Sequence, residues 1–520
     1  MKNLDGFLRS VSERIGAEWV DTRAETLSRY GEHTLPAEAR APAAVVFPAS
    51  TAEVREIVLA ANEHLVELFP VSTGNNIGLG SRAPARTGQV VVDLGHRMNR
   101  ILEVNEETCY AELQPGVSFT MLHDELERRG GKLMLSATSG PPHGGVLGNA
   151  MDRGAGYGPY FDHFGMLCGM EVVLGNGDVI RTGDGSLDTD QLVNWHVSKF
   201  SFGPALDGLF SQSNYGIVTR VGVWLMPRPP AARSFHFTFP EDEDIAEIIE
   251  LCRPMKLSNF VPSLFRVAND LYAMAPDEVN AEYQPGQPSA FSKEGRQALQ
   301  ARHGLGAWQV SGMFYGASDA AIEPLIQRVR GHFERSGKAR YISHEEAQNI
   351  PALKTAIDSM TGRPSATELG MLKWRPGSGN AWFLPGTPMV GRQALELDRL
   401  GRAIYEKHGM DYIVMHVASA RFARGLHVLV WNKEDADENR RADACYRELS
   451  TEFAKRGVGV GRAPADYYDL HMEQMLPSLQ SVCRSIKRAL DPNGVISPGK
   501  YGIDGRMSSA SAAARSPAGE

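Results

Sequence analysis

Cysteine is scarce: Cys109, Cys168, Cys252, Cys445 and Cys483 are the only five among 520 residues, and none forms a CxxC pair. An odd number so far apart gives no disulfide framework, and the spacing gives no zinc site, so buried thiols are expected. Long apolar runs are also missing. No stretch of about 18 apolar residues occurs, which leaves no candidate membrane-spanning helix. The first residues, MKNLDGFLRSVSERIG, interrupt any apolar core with charge. No export signal is therefore expected, and the cytoplasm is the default location. An excess of basic charge is absent too. Lys and Arg number 54 against 62 Asp and Glu, for a net charge of −8 with the basic groups dispersed. That distribution argues against a nucleic-acid partner, which needs a concentrated basic face.

Glycine, by contrast, is abundant in two places. The first is STGNNIGLGSRAP, Ser72–Pro84, between the apolar runs ending at Val71 and beginning at Val90. Bare backbone in such a loop presents consecutive N–H groups to an anion. The loop has no P-loop lysine and is not a GxGxxG turn opening a helix, so neither a Walker nor a Rossmann nucleotide site is indicated. The second is SATSGPPHGGVLGNAMDRGAGYGPYFDHFG, which has almost no helical or strand period. Its aromatics, and the hairpin signal at Asn176-Gly177 just after it, argue for a folded functional loop rather than disorder.

Around these loops the pattern is mixed. Ser50 and Glu53 form a capping box ahead of Val54, Ile57, Val58 and Ala61 on one helical face. LVELFPVS and GQVVVDL read as strands, the runs about Asn105-Glu106-Glu107 as a hairpin, and Phe119 to Arg129 as a helix. Pro227, Pro229 and Pro230 mark a boundary. Beyond it, FHFTFP, WQVSGMFYG and LHVLVW alternate with helical segments, as in an α+β unit on an antiparallel sheet. The helix LQSVCRSIKRALDP and the turn NGVISPGKYGI follow, and residues 507–520 are low-complexity and expected to be disordered.

Four of these stretches, in this order, resemble the vanillyl-alcohol oxidase / p-cresol methylhydroxylase family: Ser72–Pro84, LGNAMDRGAGYGPYFDHFGMLCGMEVVLGNGDVIRTG, FSQSNYGIVTRVGVWLMPRPP and LDPNGVISPGK. The resemblance runs from about Val46 to Ile503. It implies an α+β, two-domain FAD-binding (PCMH-type) fold. Residues 1–230, completed by about 485–506, would form the FAD-binding domain, and 231–484 a substrate-binding cap on an antiparallel sheet. FAD would lie against Ser72, Thr73, Gly74, Asn75, Asn76, Gly78, Gly80, Gly148, Asn149, Asp152, Arg153, Gly154, Gly156, Tyr157, Ile217 and Lys500. Relatives pass electrons to oxygen or to a c-type cytochrome, some travel to the periplasm with an exported partner, and some form homodimers.

The same resemblance exposes departures. The family's phenol-oxidising members hold a phenolate between two tyrosines and an arginine. Here the loop reads IGLG, with Leu79 in place of one tyrosine, and the family's YR pair is Gly461-Arg462. The family attaches FAD through a tyrosine or histidine; the matching residues, Leu372 and Asn380, cannot form that bond, so a non-covalent FAD is expected. The oxidase branch's aspartate is not recognisable in ATSGPPHGG. Arg462, Glu368 and Lys500 remain as candidate catalytic groups. Leu79, Gly461, His416, Tyr467 and Tyr468 are candidate pocket residues, and His143 is a further candidate base. The implied activity is FAD-dependent hydride removal from a benzylic or allylic C–H or C–OH of an aromatic or apolar small molecule. The alternatives are a 4-alkylphenol enzyme whose phenolate site is restored by Tyr467, Tyr468 or His416, and a degenerate flavoprotein scaffold.

Overall fold

The structure, a computed structural model, describes residues 3–189 and 191–504; the expected disordered tail lies outside them. Val90–Asp93 forms the middle of a small sheet, flanked in parallel by Ala44–Val46 and Leu68–Val71, with Val20–Asp21 antiparallel at the edge. All of Val90–Asp93 is buried, as suits a strand covered on both faces. One cover is the helix Thr51–His64, which buries Val54, Ile57, Val58 and Ala61 against Leu68, Val90 and Val92. The Ser50 hydroxyl accepts the Glu53 N–H at 3.2 Å, while the Glu53 carboxylate reaches back to the Ala49 N–H at 2.9 Å. The box thus closes one residue earlier than the sequence pattern suggests.

A second, antiparallel sheet runs in the order Ile101–Asn105, Tyr110–Leu113, Gly216–Trp224, Leu167–Leu174, Val179–Arg181. The Asn105 side-chain oxygen accepts the N–H groups of Glu107 and Thr108 at 3.1 and 2.9 Å and closes the expected hairpin. The second glycine-rich stretch is less irregular than its sequence suggests. It contains a short helix, Val146–Met151, which Gly145 at its N-cap and Gly148 within it hide from any periodicity reading.

After the proline cluster, Ala231–Phe239 opens an eight-stranded sheet whose every pairing is antiparallel. Strand alternation divides its residues between two faces. Phe235, Phe237, Val414 and Ala418 pack with the helices Ile245–Leu257, Asp319–Glu334, Gly391–Lys407 and Ala436–Lys455. Ala268, Met415, Val417 and Val428 belong to a separate cluster that also holds Tyr157 of the glycine-rich stretch. The fold is therefore α+β.

The chain end returns to the first sheet. Leu68 and Ile496 form a parallel bridge, with Leu68 N–H to Val495 O and Ser497 N–H to Leu68 O both at 2.8 Å. The return is fastened by an ion pair with no solvent access, Lys487 to Asp491 at 2.6 Å. Lys487 Nζ also donates to the Asn214 carbonyl and, at 2.6 Å, to that of Ile496. Asp491 accepts the Val495 and Ile496 N–H groups at 2.9 and 2.8 Å. Replacing one member strands the other charge in the interior, so Asp491→Ala is expected to cost about 3–5 kcal/mol, read as a lowered urea midpoint of the purified protein.

Candidate active site

Loops from the small first sheet, the five-stranded sheet and the eight-stranded sheet meet around a cavity of 540 Å³, within the range of small-molecule and cofactor sites. Its floor is made by the two glycine-rich stretches, which pack directly on one another. A Cβ at Gly148 would lie 2.2 Å from the Ser72 hydroxyl, so only glycine allows the contact. The first loop is also pinned to the large sheet. Trp382 Nε1 donates to the Ile77 carbonyl at 3.1 Å, and the Gly78 N–H donates to Thr34 Oγ1 at 3.0 Å. Gly78 has φ +72°, and a Cβ there would meet Asn380 at 2.1 Å. Ser81, Arg153, Gln212, Ser497 and Tyr501 all adopt positive φ and all line the cavity. Strained non-glycine backbone gathered around one opening marks a ligand clamp.

Of the residues expected against the cofactor, all line the cavity except Gly78 and Gly156. Those two are buttresses: Gly156 leaves room for the Ser136 hydroxyl, which a Cβ would approach to 2.1 Å. Asp152 and Arg153 do not pair with each other. Arg153 Nε donates to Ser211 Oγ at 3.0 Å, and Asp152 faces Arg462 Nη2 at 3.3 Å. The Tyr501 hydroxyl and, at 3.4 Å, Asn76 Nδ2 also donate to Asp152. Burial alone would raise the Asp152 pKa, but the Arg462 and Lys500 charges and the Tyr501 hydroxyl outweigh it and hold the carboxyl below its ordinary value. Burial lowers the Lys500 pKa, and the Asp152 charge opposes this only in part.

Among the candidate catalytic and pocket residues, Arg462, Glu368, Lys500, Leu79 and Tyr468 line the cavity. His416, Tyr467 and Gly461 do not. His416 lies in the strand Ile413–Ala418 with Val417 toward the cavity, and alternation turns its own ring to the helix side, 5.9 Å from Trp308. Burial depresses its pKa to about 4. Tyr467 stacks on Tyr446 with ring centroids 3.7 Å apart. The Gly461 carbonyl accepts from Gln212 Nε2 at 2.7 Å. The His143 side chain does not line the cavity either; its carbonyl accepts from Asn75 Nδ2 at 2.9 Å. The tether positions are likewise off the cavity: Leu372, partly buried, packs against the core cluster that holds Tyr157, and Asn380 Nδ2 donates to the Leu429 carbonyl at 3.2 Å.

Several residues are visible only in three dimensions. His163 holds the second stretch in place, with Nδ1 2.7 Å from Asn149 Oδ1 and Nε2 3.1 Å from Ser136 Oγ, and burial lowers its pKa to about 4. Arg266 donates to Glu368 and lies over the Tyr157 ring at 4.5 Å. Burial and the Glu368 charge raise the Tyr157 pKa to about 12. Arg424 lines the cavity beside Arg462. Arg266 and Arg424 fall in none of the motifs, whereas Tyr157 and His163 lie within the second glycine-rich stretch. Among the described residues there is no His, Cys, Asp and Glu group placed to hold a metal, and no helix long and apolar enough to cross a membrane.

The geometry fits FAD: a backbone cradle for the pyrophosphate, a strained clamp, and buried cations at one end of the cavity. Comparisons agree. Residues 42–183 match the family model described as FAD binding domain. The chain is 36% identical to the 4-cresol dehydrogenase [hydroxylating] flavoprotein subunit of Pseudomonas putida, covering 94% of each. It is 31% identical to the 1'-carboxy-chondrochloren decarboxylase of Chondromyces crocatus, covering 96% of this chain and 97% of the other. Among solved structures, p-cresol methylhydroxylase with substrate bound superposes with a TM-score of 0.94 at 34% identity, over 97% of this chain and 98% of the other. The 4-ethylphenol oxidase from Gulosibacter chungangensis gives 0.92 at 32%, over 96% and 97%. Matches of this identity along almost the whole chain, around a cavity shaped for the cofactor, show that the chain belongs to the p-cresol methylhydroxylase family of FAD-dependent oxidoreductases.

Proposed function

We propose that the chain removes hydride from a benzylic or allylic C–H, or from a carbinol carbon, of an aromatic or similarly apolar small molecule other than a simple 4-alkylphenol. One observation carries this reading: the cavity keeps Arg462, but position 79 presents an apolar leucine and position 461 no side chain. The relatives themselves differ in substrate, their names denoting a cresol, an ethylphenol and a carboxylated chondrochloren. Membership alone therefore does not fix the substrate.

FAD, when bound, supplies the two-electron acceptor. Ser72 to Gly80 and Gly148 to Tyr157 would hold it, with Ile217 beneath, and residues 1–230 with 485–506 would form its domain, capped by 231–484. Lys500, buried beside Asp152 on the cavity wall, would place a cation against the bound cofactor and favour its reduced form. Arg462 orients an anionic or carbonyl oxygen of the substrate. Glu368, held on the cavity wall by Arg266 and facing the Tyr272 hydroxyl, would be the group that takes a proton. Leu79, Trp382, Leu384 and Leu426 form apolar wall that excludes water, which strengthens every charge interaction inside. Electrons leave to oxygen or to a partner subunit, the latter supported by the words "flavoprotein subunit" in the name of the Pseudomonas putida relative.

A second reading keeps 4-alkylphenols as substrates. Of the three candidates for a replacement phenolate donor, Tyr468 alone lines the cavity. Its surroundings include Asp152, Arg40 and Arg462.

Anaerobic bleaching of the flavin separates the readings. With 4-methylphenol, reduction is expected to be slow, since losing one donor to a developing oxyanion costs roughly a hundred- to thousandfold. Rapid reduction by 4-methylphenol, lost in its methyl ether and in Tyr468→Phe, would establish the second reading and overturn the first. The FAD attachment has its own test. Leu372 and Asn380 lack a nucleophile, so acid precipitation is expected to release all flavin to the supernatant, whereas yellow colour retained in the pellet would show a covalent bond.

A further inference from the structure

The room left by glycine at position 461 is filled from another part of the chain. A Cβ built on Gly461 would lie 3.0 Å from Nε, Cζ and Nη2 of Arg424. Arg424 projects from the strand Phe422–Trp431, and its Nη1 donates to the Arg153 carbonyl at 3.0 Å. Its guanidinium therefore stands where a side chain at 461 would begin, next to Arg462, and both arginines line the cavity.

Local carboxylates do not match these cations. Asp152 meets Arg462 through a single 3.3 Å contact and is shared with Tyr501, Asn76 and Lys500. Asp162 is the acid near Arg424, and Arg153 adds a further positive charge. Arg462 Nε is buried and has no hydrogen-bond partner among the described residues. Burial, then the Arg462 charge, lower the Arg424 pKa. Two guanidiniums lining one cavity repel each other, and a bidentate anion bound to both removes that cost and supplies the missing acceptors.

We propose that Arg424 and Arg462 together bind a carboxylate of the substrate, making the oxidised molecule an aromatic or alkenyl carboxylate. The inference rests on the reading of this cavity as a hydride-removing site and names its substrate class. A ring carboxylate withdraws electrons where a phenolate pushes them, so a carbinol, activated by its own oxygen, is the group best suited to be oxidised in such a molecule.

The test uses the holoenzyme and calorimetric titration with 4-methylbenzoate, 4-methylbenzamide and 4-methylphenol. The acid is expected to bind roughly ten- to hundredfold more tightly than the amide. Arg424→Gln should abolish that difference without changing flavin content or amide binding, and Arg424→Lys should restore part of it. Equal binding of acid and amide by the unaltered enzyme overturns the proposal, even where Arg424→Gln fails to fold. Loss of flavin from a folded Arg424→Gln also overturns it, because the arginine would then serve the cofactor. Failure of the underlying reading looks different: 4-methylbenzoate binds with the expected preference, yet 4-(hydroxymethyl)benzoate and the neutral benzylic and allylic alcohols leave the flavin oxidised under anaerobic conditions.

Discussion

Asp152 is the point at which the chain closes on itself. Its carboxylate faces Asn76 of the first glycine-rich loop, Arg462 after the helix Ala436–Lys455, and Tyr501 and Lys500 of the chain end. These partners lie up to 349 residues away in sequence. A carboxylate there answers two cations and accepts from a phenol, so its ionised form is favoured despite burial. The cavity wall depends on that charge: without it, Arg462 and Lys500 would face each other beside Arg424 and Arg153 with less to balance them.

The same constraint explains why the backbone around the cavity is irregular. Lys487 and Asp491 clamp the returning segment onto the first sheet and so set the position from which Lys500 and Tyr501 reach Asp152. Ser497 and Tyr501 take positive φ to make that approach, as do Arg153 and Gln212 on the opposing side. Such conformations each cost on the order of 1–3 kcal/mol and persist only where the surroundings over-determine them. Here the over-determination is visible, since Gln212 Nε2 bonds both the Asp152 and Gly461 carbonyls at 3.1 and 2.7 Å.

What the sequence revealed and what it hid divide along a physical line. Local devices were legible: the Ser50 cap, the Asn105 turn, the helix from Phe119 and the bare-backbone loops all work over a few residues. The long motifs made the cofactor and fold legible as well. One-residue choices were not. His416 and Val417 are neighbours in a strand, and only the sheet shows which one faces the cavity; Tyr467 and Tyr468 pose the same difficulty. Nor could glycine at 461 be read as space, because the side chain that fills it comes from a strand nearly forty residues earlier, where Arg424 stands in no recognisable motif.

A pocket so altered differs in charge from one built on phenols. Two neutral phenols around an arginine can share a proton with a bound oxygen and leave the site with one formal positive charge. A leucine and a second guanidinium cannot share a proton at neutral pH, and they leave two formal positive charges. The first arrangement tolerates a group that alternates between neutral and anionic forms; the second favours a permanent anion. A charge that stays fixed orients a substrate without taking part in its oxidation, so the electron push must come from the carbon being oxidised or its own substituent. On the proposed reading, Arg424 in place of the hydroxyls would separate binding from activation, two tasks that a phenolate site performs with one oxygen.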